Sequence, residues 1–205
     1  MDVVFMIYEA DVCPERVAGL LQKAYALFME RIPNGRIFCA VSAQYCQTVI
    51  HTLAANNGNT AHIFEIAGTT FIEQLYSFAS LPVFQTAIGE HICAHDIFRA
   101  QMPQELLNTG CSIFMKQPEC AVFPSVPLKD TIKRVDTEMT VTETPDRATL
   151  KRAQTPLFLA KQTLLRMIQE RSDTPPNSFI SACLQAGITM RTYEGSYMNG
   201  ITVSG

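Results

Sequence analysis

The chain has 205 residues, 47% of them hydrophobic, 17% charged and 10 of them glycine, with a net charge of −3. Those figures exclude an intrinsically disordered chain and describe one domain with enough length to bury a core. They also exclude the basic footprint of a general nucleic-acid binder. The stretch from Ile37 to Phe64 lacks charged residues, but Ser42, Gln44, Gln47, Asn56, Asn57 and Asn59 interrupt it, so it is not a membrane span. The opening MDVVFMIYEAD has no basic region and no cleavage site, and reads as a buried strand, not a signal peptide. Seven cysteines without a C-x-x-C pair read as free thiols in a reducing cytoplasm.

Residues 3–7 form a β-branched apolar run suited to a strand covered on both faces. Pro14 can open a helix, and Val17, Leu20, Leu21, Ala24, Leu27 and Phe28 recur at helical spacing. A turn at Pro33, Asn34 and Gly35 precedes a second strand over 37–41. The pattern then predicts a helix over 44–55, a turn at 56–59, a strand over 61–66 and a helix over 71–79. Residues 90–94 predict a strand running into His95 and Asp96. Residues 103–109 predict a helix closed by Gly110, and 120–126 another strand, irregular at Pro124. Strands alternating with helices imply an α/β domain with a mainly parallel sheet, whose ligands sit beyond the strands' carboxyl ends.

Residues 128–150 break this rhythm. Two short alternating segments, 129–135 and 139–142, flank Asp136, Thr137 and Glu138, and predict a protruding β-hairpin arm. The arm lies in a basic segment: residues 128–171 hold 9 Lys/Arg against 6 acids, whereas residues 1–127 hold 6 against 11. The pattern returns to helix over 158–171. Asn177 or Ser178 can cap a further helix stopping at Gly187, and 188–193 closes the chain as a strand.

Lys133, Arg134 and Arg147 lie in sequence near hydroxyls at Thr131, Thr144 and Thr155. Arginine forks and hydroxyls suit phosphate oxygens, although a solvated charged hairpin has the same composition. His91 and His95 stand four apart beside Asp96, and we read them as structural rather than metal-binding.

The wording of these segments is more specific than their chemistry. HDIFR from His95, PLKDTIKRV from Pro127, TPDR from Thr144, AQTP from Ala153 and EGSYMN from Glu194 follow one another in the order of five known motifs. Together they resemble the 2-C-methyl-D-erythritol 4-phosphate cytidylyltransferase family, which includes the related pentitol-phosphate cytidylyltransferases. The resemblance implies a Rossmann-like nucleotidyltransferase fold whose hairpin arm, 128–150, embraces a second subunit in a homodimer. It also implies a reaction: CTP and a sugar-alcohol phosphate give a CDP-alcohol and pyrophosphate, with Mg²⁺ as cofactor.

Carried over by motif, Asp96 and Arg99 contact the acceptor alcohol, Thr155 lines the same pocket, and Thr131 and Arg147 reach the acceptor phosphate across the dimer. Gly68, Thr70 and Glu73 match the cytosine-binding stretch, and Arg16 survives from the phosphate loop as a catalytic phosphate contact. The N-terminal half departs from the pattern. Where the family has A-A-G-x-G-x-R-M, this chain has Ala10, Asp11, Val12, Cys13, Pro14, Glu15, Arg16 and Val17. Glycines in such a loop let backbone N–H groups approach phosphates, and proline removes a donor. The family's P-K-Q lysine has no counterpart, Phe71 stands for an arginine, Gln74 for a serine, and Ile97 and Phe98 for two alanines. These departures imply a cytidylyltransferase-like protein of weak or lost activity. The alternatives are a catalytically degenerate homologue acting as a binding partner, or an enzyme using a pentitol phosphate.

Overall fold

The computed structural model describes residues 1–8, 11–55, 61–99, 101–171 and 176–200. The predicted turn at 56–59 lies outside them. The first strand, β1 (Asp2–Ile7), is buried along its whole length. Alternation splits its side chains, so Val3, Phe5 and Ile7 enter one core while Val4 and Met6 enter another on the opposite face. That is the arrangement of a sheet covered by helices on both sides.

Helix α1 (Pro14–Arg31) starts with proline at its first turn and buries Val17, Leu20, Leu21, Ala24 and Phe28. Phe28 meets Phe5 edge-on at 5.2 Å. Burial of each such ring contributes about 1.5–3 kcal/mol. Strand β2 (Ile37–Val41) has the predicted bounds, and a 3₁₀ turn (Ala43–Tyr45) leads into α2 (Cys46–Ala55). Strand β3 (Ala61–Glu65) is followed by α3 (Phe71–Ala79), again as predicted, and by a short α4 (Pro82–Ala87) that periodicity did not single out.

Strand β4 (His91–Asp96) leads to α5 (Gln104–Lys116). Gly110 does not close α5 but sits inside it. A Cβ there would run into the Phe158 ring and the Tyr193 hydroxyl, so this glycine permits close packing of helix on sheet. Strand β5 (Ala121–Pro127) precedes a two-stranded hairpin, β6 (Arg134–Val135) and β7 (Val141–Glu143). After a 3₁₀ turn (Arg147–Thr149) come β8 (Lys151–Ala153) and β9 (Leu157–Ala160).

The helix expected to start at Phe158 is corrected here. Leu157, Phe158 and Leu159 are fully buried in β9, antiparallel to β4, and α6 (Lys161–Gln169) begins only afterwards. Ser178 caps α7 (Phe179–Gln185), and β10 (Met190–Glu194) is the last strand.

The main sheet has the order β10-β5-β9-β4-β1-β2-β3, with β8 pairing β5. Its β1–β2, β1–β4, β2–β3 and β5–β10 pairings are parallel. The chain runs outward through β2 and β3, then crosses back to put β4 on the other side of β1. That reversal opens a crevice beyond the carboxyl ends of β1 and β4, the usual ligand position on such sheets. Met6 is in register with Asp96, so the crevice begins at Tyr8 and Asp96.

Candidate active site

A cavity of about 340 Å³ occupies this crevice. Asp96, Arg99 and Thr155 all line it, as do Tyr8, Thr70 and Phe71. Asp96 is 2% exposed. Its carboxylate accepts from the Tyr8 hydroxyl at 3.1 Å and from the Phe98 N–H at 2.9 Å. Arg99 Nε lies 3.4 Å from the same group. Burial raises the Asp96 pKa, and this outweighs the opposing pull of Arg99 and the hydrogen bonds.

Thr155 ties the two strand-end residues together. Its hydroxyl accepts from the Asp96 N–H at 3.3 Å and lies 3.2 Å from His95 Nδ1. His95 sits against Phe28 and Phe5 with its pKa pushed down to about 3, chiefly by burial and then by Arg99. It is therefore a neutral, structural histidine. On its side of Arg99 a second cavity, about 210 Å³, brings Lys23 and Met102 together with His95. Lys23 has no motif to announce it; only the packing of α1 over β4 reveals its position.

The five sequence motifs converge. Gln154 donates to the Ser196 carbonyl at 2.7 Å and accepts from the Ser196 N–H at 3.2 Å. Asn199 donates to the Thr155 carbonyl at 2.6 Å. At the base of the arm, Tyr197 donates to the Pro127 carbonyl, Lys129 lies 3.9 Å above the Tyr197 ring, and Arg147 donates to the Lys129 carbonyl. Lys133 donates to Thr144 at 2.7 Å. Thr131 and Arg147 themselves are exposed and lie away from the cavity wall of their own chain.

The residues that the resemblance assigns to the nucleotide make bonds within the fold. Thr70 caps α3, accepting from the Glu73 N–H at 3.3 Å, and Glu73 reaches back to the N–H and hydroxyl of Thr69. Those bonds, led by the Thr69 N–H, hold the Glu73 carboxyl below its ordinary pKa. Thr69 and Thr70 reach the cavity wall; Gly68 and Glu73 do not. Gln74 is fully buried, accepting from the Ile7 N–H and donating to the Ile7 carbonyl and the Ser42 hydroxyl. Val12 is packed into the core and its carbonyl accepts from Tyr45 at 2.8 Å. Arg16 is exposed on the first turn of α1, off the cavity wall.

Sequence reasoning missed Tyr8, Phe179 and Ser178, all on the cavity wall. Tyr8 could have been found as the first residue past the predicted β1. Phe179 and Ser178 follow only from where α7 docks. All seven cysteines are free, and burial pushes the Cys39 and Cys183 thiols up to about 12. No helix among the described residues is long and apolar enough to cross a membrane.

Residues 19–202 match the IspD family model, described as 2-C-methyl-D-erythritol 4-phosphate cytidylyltransferase. The chain belongs to this family. The Alkaliphilus metalliredigens enzyme of that name is 37% identical over 112 residues, 54% of this chain and 46% of its own length. A bifunctional IspD/IspF enzyme of Rhodopseudomonas palustris is 33% identical over 137 residues, 64% of this chain and 33% of its own. The chain thus spans half or less of the length of these curated relatives. Among solved structures, the 4-diphosphocytidyl-2C-methyl-D-erythritol synthase of Anaerococcus prevotii superposes with a TM-score of 0.80 at 16% identity, over 100% of this chain and 90% of that one. The Thermus thermophilus cytidylyltransferase gives 0.70 at 17% identity, covering 100% and 94%. These identities speak to the fold: the IspD-family architecture, a mainly parallel sheet between helices with a small hairpin.

Proposed function

We propose that this IspD-family chain holds the acceptor in cytidylyl transfer from CTP to 2-C-methyl-D-erythritol 4-phosphate, with a donor side so altered that turnover is weak or lost. The observation that carries the reading is the shared cavity. Asp96, Arg99 and Thr155 line one wall, while Val12 is sunk in the core and Glu73 is spent on capping α3.

In the transfer, an oxygen of the acceptor phosphate attacks the α-phosphorus of CTP. The bond to the bridging oxygen breaks and pyrophosphate leaves with its electron pair. Asp96 would accept a hydrogen bond from an acceptor hydroxyl, with Tyr8 and the Phe98 N–H fixing its direction. Arg99 would balance the acceptor's charge. Thr131 and Arg147 would reach the acceptor phosphate from a partner's arm. Such positioning and charge neutralisation make up most of catalysis in this class of chemistry.

The arm supports a homodimer. Ile132, Val135, Met139 and Val141 are 39%, 41%, 77% and 56% exposed. An isolated two-stranded hairpin is at best marginally stable in water, so a second copy covering these side chains is expected. Seven free thiols fit a cytoplasmic location, which is part of the proposal.

The family resemblance brings magnesium with the nucleotide. Among the described residues, no group of three or more His, Cys, Asp or Glu could hold a metal ion. Asp96, the carboxylate on the cavity wall, is already engaged by Tyr8, Phe98 and Arg99. Magnesium carried on a triphosphate needs only one or two protein carboxylates, so Asp96 is the cavity-wall residue that would meet such an ion, and no step is routed through it.

Loss of a single preorganised donor costs about 10²–10³-fold in rate. The test is calorimetry with 2-C-methyl-D-erythritol 4-phosphate on the intact chain and on Asp96→Asn. Binding that the substitution weakens at least tenfold is expected. Absence of binding by the intact chain would overturn the acceptor reading.

A further inference from the structure

Helix α1 carries a lysine within its apolar stripe. Leu20, Lys23, Ala24 and Leu27 share one face at helical spacing. The positions three and four away from Lys23 on either side are Gly19, Leu20, Ala26 and Leu27, so no ion pair along the helix engages the ammonium. With a rise of about 1.5 Å per residue, Lys23 lies about 13 Å along the axis from Pro14. That places it well away from the loop which the family pattern gives to nucleotide phosphates.

The stripe faces the second cavity, of about 210 Å³, whose other apolar lining is Ile97 and Met102. Lys23 and Arg99 both line it, and His95 beside them is neutral. Among the described lining residues there is no carboxylate. Glu30, further along α1, is taken up by Arg31 and Gln104. Two cations over an apolar pocket suit a doubly charged head on a short aliphatic body, which favours a phosphate monoester over a carboxylate.

Arg99 also lines the acceptor cavity, where its Nε lies 3.4 Å from Asp96. A second link joins the two cavities: His95, on the wall of the smaller, is 3.2 Å from the Thr155 hydroxyl, on the wall of the larger. Negative charge on one side of the guanidinium competes with negative charge on the other.

We infer that the cavity under α1 is a second ligand site, taking a small aliphatic phosphate monoester on Lys23 and Arg99, and that its occupant weakens acceptor binding through the shared arginine. The coupling rests on the acceptor reading; the site does not. By linkage, the acceptor weakens the second ligand by the same factor.

Titration calorimetry with butyl phosphate on the whole chain tests both parts. A dissociation constant of about 1 mM or tighter is expected, with inorganic phosphate at least about tenfold weaker for want of the aliphatic body. Lys23→Met keeps the stem but removes the charge, and should weaken butyl phosphate at least about tenfold, whereas Lys23→Arg should hold it within about threefold. With butyl phosphate saturating, affinity for 2-C-methyl-D-erythritol 4-phosphate should fall about fivefold and then stay level. Absence of butyl phosphate binding at about 10 mM would overturn the second site, as would binding that Lys23→Met leaves unchanged or that inorganic phosphate equals. Acceptor affinity that never falls would overturn the coupling. Affinity that keeps falling as butyl phosphate rises would overturn the site as well, because it marks competition inside the acceptor cavity. If the acceptor itself fails to bind, the acceptor reading falls, while butyl phosphate binding that depends on Lys23 upholds the second site.

Discussion

The two sides of the cavity use their polar groups differently. On the acceptor side, side chains hold one another at the ligand's edge: Thr155 joins Asp96 to His95, Asn199 holds the Thr155 carbonyl, and Gln154 clamps Ser196. On the donor side they close the fold. Gln74 satisfies the Ile7 N–H and adds a second bond to its carbonyl, Glu73 satisfies Thr69, and Tyr45 satisfies Val12. A polar group that already completes a backbone is costly to recruit for a ligand, because moving it strands a buried partner. The proposed function assigns binding to the first side and a structural role to the second.

Four substitutions probe that contrast, in falling order of expected effect. Gly195→Ala strikes the acceptor side. A Cβ there would collide with Gln154 and press on the Ser125 backbone, whose carbonyl accepts from the Gly195 N–H. Overpacking of this kind costs about 3 kcal/mol, a melting temperature ~10 °C lower by calorimetry. An unchanged melting temperature would mean that the clamp between Gln154 and Ser196 is loose.

Gln74→Leu strikes the donor side. It strands the buried N–H of Ile7, whose carbonyl keeps the Ser42 N–H at 2.9 Å, and should cost about 1–3 kcal/mol in urea unfolding. If CTP affinity survives in the folded protein, the role of Gln74 is structural, as the contrast requires.

His95 supplies a pH test. Its folded pKa of about 3 lies below the ordinary histidine value of 6.5, so the unfolded chain binds the proton more readily. Its contribution to stability is complete above pH 6.5 and is lost as pH falls toward 3. From pH 6.5 to 5 the loss is about 2 kcal/mol. Asp96, whose pKa is raised on folding, acts in the opposite direction just above the ordinary carboxylate range. His95→Phe should flatten the decline between pH 6.5 and 5. A decline equally steep in the variant would assign it to other groups.

Thr70→Ala removes the cap of α3 and should cost about 1 kcal/mol. Its effect on CTP affinity should stay below about threefold, since a group spent on capping has little left for a nucleotide. A tenfold loss of CTP affinity would return Thr70 to the ligand.

Much of this architecture was legible in the chain. The runs that became β2 and α3 had their bounds marked by apolar patterning. Asp96, Arg99 and Thr155 were legible through their motifs, and the cavity unites them. Strand β9 was not, because its four residues run directly into the amphipathic α6, and a short apolar run has no period of its own. Gly110 read as a stop because a glycine needed for close packing looks the same in sequence as one that ends a helix. Tyr8, Phe179 and Lys23 acquire a role only through docking of separate elements, which no local pattern records.

Pyrophosphate release measures the central claim most directly. With the whole chain, CTP, 2-C-methyl-D-erythritol 4-phosphate and magnesium, the account predicts release at least about 10²-fold slower than that of a family enzyme with an intact glycine loop assayed alongside. Release at the intact enzyme's rate would contradict it, and would show that a donor side built of Val12, Pro14 and Phe71 still manages a triphosphate.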